Sequence, residues 1–342
     1  MTTTAKDIES KIFLVDENGL EALALEVLKF QYEHNDVYRQ FCKNLQINPE
    51  AVKRLEQIPF LPIQFFKTKE VVTTAFTAAT IFKSSGTSGQ INSRHFVKNL
   101  ELYKDSFKNT FHLFYGGVKD YCVLGLLPSY LERGDSSLVY MVQDFIHSSK
   151  YPQSGFYLDE YEKLQQTILQ NEAAHIPTLL IGVTYALLDF AEKYPSVLSH
   201  TVVMETGGMK GRRQELTRQE VHARLQLHFG QLPIHSEYGM TELLSQAYSK
   251  ADGLFKTAPW IKVLLRAADD PFEVTSAQSI GATAASGAIN IIDLANLYSC
   301  AFIATDDVGR LYNDGSFEVL GRLDNSDIRG CGLIISVAFF SM

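Results

Sequence analysis

Apolar and polar positions change their spacing along this chain, and the changes mark out its elements. Leu20, Leu23, Val27, Leu28, Val37, Tyr38 and Phe41 recur at helical intervals, which predicts a helix over 18–45 with Asn18 as its cap. Pro49, Pro59 and Pro62 then break the chain into extended pieces, with Phe60, Phe65 and Phe66 available to pack this part onto the main body. From about residue 80 the pattern alternates between short apolar runs and amphipathic stretches. Strands are expected at 121–127, 178–183 and 201–204, and helices at 136–146, 159–172, 185–193 and 217–229. Thr217 followed by Glu220 is a capping box that fixes the start of the last of these. Beyond residue 255 the strands come close together, at 260–266, 288–293, 299–304 and 316–320, with Asn313-Asp314-Gly315 as a hairpin turn. The alternation predicts an α/β fold with a mainly parallel sheet, followed by a β-rich last quarter.

Composition narrows the class. The 342 residues are 46% hydrophobic and 20% charged, enough to bury a sizeable core. A net charge of −8 argues against a dedicated nucleic-acid binder, while leaving room for a local basic pocket. The first nine residues are polar and lack the apolar centre of a signal peptide. The apolar run 333–340 is far too short for a membrane span. Cys42, Cys122, Cys300 and Cys331 follow no metal-ligand or disulfide spacing, so a reducing cytoplasm is expected.

Four stretches carry candidate chemistry. Ile81 and Phe82 read as the end of a buried strand, and Ser84, Ser85, Gly86, Thr87, Ser88 and Gly89 follow. Two glycines allow close backbone approach, and the hydroxyls add donors, so the loop can wrap nucleotide phosphates. It is not a Walker loop, because no Gly-Lys-Ser/Thr follows, and a flexible surface turn reads equally well. In the stretch from Ser236 to Glu242, Tyr238 can stack on a base, Thr241 can bond a phosphate, and Glu242 can hold Mg²⁺. The same residues also read as a loop entering a helix, capped by Thr241. Thr305-Asp306-Asp307 follows an apolar strand, where a carboxylate can take ribose hydroxyls; an acidic turn is the plain alternative. Gly321-Arg322-Leu323-Asp324 is the fourth stretch, and a surface pair is its plain reading.

In this order the four stretches resemble the motifs of the adenylate-forming superfamily, which includes acyl-CoA ligases and luciferases. The loop 84–89 is similar to its phosphate loop, and 238–242 to its Tyr-Gly-x-Thr-Glu motif. Thr305 to Asp307 is similar to its Thr-Gly-Asp motif, with Asp306 in the glycine position, and 321–324 to its Gly-Arg-x-Asp hinge. Gly207 and Gly208 fall where that superfamily runs beside adenine. The loop 84–89, the stretch 127–133 and the stretch 327–331 more narrowly resemble the LuxE-type acyl-protein synthetases. Phenylacetate-CoA ligases are the next relatives. The resemblance covers about 80–332; the first 80 residues contribute no motif.

The resemblance implies the large N-terminal domain of that superfamily, with ATP and Mg²⁺ as cofactors and a fatty acid as substrate. An acyl-accepting protein such as an acyl reductase is the implied partner. It implies Ser84 to Gly89 on the phosphates, Gly207, Gly208 and Tyr238 at the base, and Gly239 near the acyl carboxylate. Thr241 and Glu242 then serve the α-phosphate and the metal, Asp307 and Arg322 the nucleotide, and Cys331 carries the acyl group as a thioester. Three parts are expected: 1–79 packed on the body, a core over 80–321, and a short hinge and tail over 322–342.

Two departures stand out. Gln90-Ile91-Asn92 replaces the Pro-Lys that often follows the loop, and the mobile C-terminal domain with its catalytic lysine is expected to be absent. Lys83, Arg94 or Arg322 could supply positive charge instead. His95 and His235 are expected to be structural. An acyl- or aryl-CoA ligase lacking its cap, and a nucleotide-binding subunit without chemistry, are the alternatives.

Overall fold

The computed structural model describes residues 4–84, 91–128, 134–207, 216–267, 270–281 and 283–323. They fold as two compact units, Met1–Thr77 with Pro259–Met342, and Ala78–Ala258. No helix among the described residues is long and apolar enough to cross a membrane.

The first unit joins sequence-distant segments. Its antiparallel sheet runs in the order Val274–Thr275, Ile261–Arg266, Ala284–Asp293, Phe302–Tyr312, Phe317–Arg322. Leu61 and Pro62 add a short parallel strand against Ile303 and Ala304. Phe60 meets Phe302 edge-on at 6.5 Å between ring centroids, and Phe66 is buried. Buried amides stitch the helical segment to the chain before that strand. Gln31 Nε2 donates to the carbonyls of Asn296 and Leu297, and Gln31 Oε1 accepts from Ala301 N–H at 3.0 Å. Asn35 Nδ2 donates to Ser299 O at 2.8 Å. Each such bond satisfies a backbone group that burial would otherwise leave unpaired at a cost of about 1–3 kcal/mol.

The helix expected over 18–45 is two helices, Leu20–His34 and Asp36–Asn44. The break comes at Asn35, whose backbone is extended and whose Oδ1 accepts from Tyr38 N–H, ending one helix while capping the next. Asn18 is not the cap. Gly19 occupies that position without a side-chain bond. A further helix, Ala5–Ile12, precedes them, with a capping box between Thr4 and Asp7.

The second unit is the alternating α/β part. Gly155–Phe156, Cys122–Leu126, Thr178–Val183, Thr201–Thr206 and His235–Tyr238 lie side by side in that order, all parallel. Ala247–Ser249 and Phe255–Thr257 extend the sheet antiparallel. All residues of Cys122–Leu126 and Thr178–Val183 are buried, as strands covered on both faces must be. One face packs the helices Leu100–Tyr115 and Ser137–Ser148 through Phe107, Phe111 and Phe145, with Phe111 also against Tyr248. The helices Thr184–Lys193 and Arg218–Phe229 meet through Phe190 and Phe229. The Thr217–Glu220 capping box forms as expected. A separate hairpin pairs Thr80–Lys83 with Arg94–Val97.

Candidate active site

Five parallel strands in the second unit end at the same edge, and the chain leaves that edge at 127, 157, 184, 207 and 239. The carboxyl edge of a parallel sheet, where loops splay and helix N-termini gather, is the usual ligand position in open α/β folds. Two of the four candidate stretches meet there. Thr206 and Glu237 are paired in register, so Gly207 and Tyr238 leave neighbouring strands side by side. Gly207 is exposed with φ +69, a left-handed turn that suits glycine.

The serine-rich hairpin is tied to the same edge at two points. Lys83 N–H donates to Asp135 O at 2.9 Å, and Lys83 Nζ meets Asp135 Oδ2 at 3.0 Å. On the opposite strand, the buried His95 Nδ1 lies 2.8 Å from Thr241 O. Burial holds this imidazole neutral down to about pH 4, which leaves Nδ1–H to donate to the carbonyl. Ser84 Oγ accepts from Ser93 N–H at 2.9 Å, closing the hairpin where the loop begins. Ser84 and Thr241 are therefore anchored through one short hairpin. Ser85, Gly86, Thr87, Ser88 and Gly89 lie outside the described residues, as do Gly208, Asp324 and Cys331.

Around the turn after Tyr238, the ring is half-buried, Gly239 is exposed, and Glu242 is 6% exposed. Residues 239–242 form a turn, not a helix entry, so Thr241 caps nothing. A side chain at Gly239 would place its Cβ 2.5 Å from Glu237 Oε1. A larger residue there would make the buried Glu237 carboxyl shift.

That carboxyl is one of two that went unread in the sequence. Glu205 and Glu237 sit on adjacent strands and face opposite sides of the sheet. Burial penalises the Glu205 charge, but bonds with His222, the Arg218 guanidinium and Ser236 outweigh it and bring its pKa down to about 2. Arg218 Nε donates to Glu205 Oε1 at 3.0 Å, and Thr184 Oγ1 donates to Glu205 Oε2 at 3.0 Å. Among the described residues, the Thr206 hydroxyl donates to Glu237. Burial, with the nearby Glu205 charge, pushes its pKa up to about 7. The signal for Glu205 was a glutamate directly after the apolar run Val202-Val203-Met204; the polar strand His235–Tyr238 gave none for Glu237. His235 is held by Tyr115 at 3.1 Å and titrates near pH 4 through burial and the Lys250 charge, so both site histidines are structural.

In the first unit, Thr305–Asp307 is not a turn: it lies inside the strand Phe302–Tyr312. Thr305 Oγ1 accepts from Asp307 N–H at 3.1 Å, and the register slips just beyond, between Val308 and Gly309. Such a bulge re-aims neighbouring side chains. Asp307 is 7% exposed and meets Arg322 Nε at 3.3 Å across the ladder. The two motifs thus meet as one ion pair, Asp307 from mid-strand and Arg322 from the end of the next strand. Asp306 accepts from Gln64 Nε2 at 2.6 Å.

Among the described residues no three His, Cys, Asp or Glu side chains gather as a metal cage. Mg²⁺ commonly binds one or two carboxylates and completes its shell with phosphate oxygens and water, and Glu242 beside the turn fits that role.

Residues 12–104 match the family model of acyl-protein synthetase, LuxE.

The chain resembles that family. The match lies mainly ahead of the serine-rich loop, in residues that showed no motif, and reaches into the helix Leu100–Tyr115. The long-chain-fatty-acid–luciferin-component ligase of Vibrio harveyi is 42% identical over 62 residues, 18% of this chain and 16% of that protein. O-succinylbenzoate coenzyme A synthetase (MenE) of Bacillus subtilis, solved with AMP, superposes with a TM-score of 0.50 at 16% identity, covering 74% of this chain and 63% of that one. The same enzyme with ATP and a magnesium ion gives 0.50 at 17%, covering 75% and 52%. The chain therefore spans less than two thirds of the length of these relatives. Its fold is that of the adenylate-forming enzymes.

Proposed function

We propose that this protein activates a fatty or related carboxylic acid with ATP and passes the acyl group to a protein thiol. The observation that carries the reading is the convergence of the Ser84 hairpin, Gly207 and the turn 238–242 on one carboxyl edge. A carboxylate is a poor acyl donor because oxide would have to leave. Its oxygen attacks the α-phosphorus, the bond to the bridging oxygen breaks, and pyrophosphate departs with that electron pair. A thiolate then attacks the acyl carbon, and AMP leaves.

The first step brings two anions together, so the site must supply donors and cations that are already in place. The loop that starts at Ser84 donates to the phosphates, Thr241 bonds the α-phosphate, Tyr238 stacks on the base, and Gly239 leaves room for the acyl carboxylate. Asp307 carries the chemistry of an acceptor for ribose hydroxyls, and Arg322 adds charge. Glu242 would hold Mg²⁺, which would offset phosphate charge.

Cys331 is the assigned acyl carrier. Cys42, Cys122 and Cys300 are buried; burial pushes the Cys42 thiol up to about 12 and raises the other two, so none of the three offers a thiolate. An acyl reductase is the kind of protein that would take the acyl group onward. The likeness of fold to a CoA synthetase favours one second reading, with coenzyme A as the acceptor.

The test is incubation with labelled fatty acid, ATP and Mg²⁺, with and without coenzyme A, for wild type and Cys331→Ser. Acid-dependent pyrophosphate release is expected from both proteins, with hydroxylamine-labile protein label in wild type alone. Label persisting in Cys331→Ser removes that cysteine from the mechanism. Turnover only with coenzyme A supports the ligase reading, and no acid-dependent release ends both.

A further inference from the structure

Glu205 lies at the centre of a buried network that nothing in the proposed chemistry uses. Its side chain is 4% exposed. On one side, the single Thr184 hydroxyl proton is shared between two acceptors, Glu205 Oε2 at 3.0 Å and the carbonyl of Gly207 at 3.1 Å. On the other, Arg218 Nε meets Glu205 Oε1 at 3.0 Å. The Arg218 guanidinium lies 4.9 Å from the centroid of the Phe255 ring, over its face. Phe255, fully buried, packs against the Tyr238 ring with centroids 5.8 Å apart. The Arg218 side chain also runs past Gly253, where an added Cβ would fall 2.8 Å from its Cδ, so the glycine leaves room for it. His222 and Ser236 close the lower side, 3.2 Å from each other, with His222 Nε2 3.8 Å from Glu205.

We infer that Glu205 is a positioning residue for base recognition: it sets Gly207 through Thr184, and Tyr238 through Arg218 and Phe255. Gly207 and Tyr238 are the two elements assigned to the base, and both are held from this one carboxylate. The inference rests on the proposed nucleotide reading. Arginine suits the link because its planar group can bond a carboxylate while stacking on an aromatic face, which lysine cannot do. The bonds and ring contacts that define the network run to Gly207 and Tyr238, so its loss should be felt at the base more than at the phosphates.

The experiment compares magnesium tripolyphosphate, which has no base, with MgATP. Binding of each is measured by calorimetry for wild type, Glu205→Gln, Phe255→Leu and Arg218→Lys. Wild type is expected to prefer MgATP. In all three variants that preference should fall roughly tenfold, the scale of one lost base–aromatic stack, with tripolyphosphate affinity unchanged. A general loss of structure would weaken both ligands together and would overturn the inference. So would an undiminished preference in Phe255→Leu and Arg218→Lys, which keep Glu205 and remain informative should Glu205→Gln fail to fold. Wild type binding neither ligand would sink the nucleotide reading as well, a result distinct from either of these.

Discussion

Replacing Glu242 by glutamine is expected to lower acid-dependent AMP formation by roughly 100-fold or more, the usual cost of removing one electrostatic group from a phosphoryl or acyl transition state. The reason is local. Glu242 is 6% exposed and follows Thr241, whose carbonyl is fixed by His95. A carboxylate held this firmly can present an oxygen to a cation without reorganising. Glutamine keeps the size and one acceptor oxygen but loses the charge, so Mg²⁺ that shares phosphate oxygens is held less well. Higher Mg²⁺ should restore part of the rate. The control is thermal unfolding of the variant. Activity within about threefold of wild type at limiting Mg²⁺ would remove Glu242 from the site.

Glutamine at position 237 is expected to act on stability, and its effect should depend on pH. Glu237 is 7% exposed, and its folded pKa is raised from 4.5 to about 7. A raised folded pKa means that the native state holds the proton more tightly than the unfolded chain. The stability this contributes is fully present below pH 4.5 and is lost as pH rises through 7. The window corresponds to about 3 kcal/mol, an order-of-magnitude figure for a fully buried carboxyl. Glutamine does not titrate there, can still accept from Thr206, and avoids the buried charge. Relative to wild type, Glu237→Gln should therefore gain about 3 kcal/mol between pH 4 and pH 8.5. Urea unfolding of both proteins at the two pH values gives the difference directly. His95 and His235 titrate in both proteins and cancel, while Glu205 is already ionised across this range. Equal differences at both pH values would show that Glu237 is ionised in the fold.

The fold was legible where one element's own residues decide it. Thr178–Val183 was read to the residue because a strand buried on both faces is a continuous apolar run. The helix Arg218–Phe229 was read because Thr217 and Glu220 satisfy its free N–H groups locally. Asn35 escaped because one helix capping directly off another leaves the apolar period almost unbroken. The helix Leu100–Tyr115 was missed although Asn99 caps it, since its buried face mixes Tyr103, Phe107 and Phe111 with Ser106 and Thr110, residues of low helix propensity. Thr305–Asp307 reads either as a carboxylate at a strand end or as an acidic turn, because its mid-strand place depends on Arg322, a partner that comes from the next strand.

The candidate site divides in the same way. Ser84, Tyr238, Thr241 and Glu242 were visible as local motifs, and the hairpin bond from His95 explains how two of those stretches meet. Glu205 and Glu237 were not visible. Their roles depend on partners brought from other strands and helices, Arg218 and His222 on one side and Thr206 on the other. A sequence shows where a glutamate stands, but which partner it finds, and so whether it is charged, is decided by tertiary packing.

The central claim is that the carboxyl edge of the parallel strands grips the nucleotide. Photolabelling with 8-azido-ATP, followed by peptide mapping, tests it most directly. The account predicts label that excess ATP prevents, on peptides that contain Gly207 or Tyr238. Label confined to peptides that hold neither segment, or label that ATP does not prevent, would contradict it.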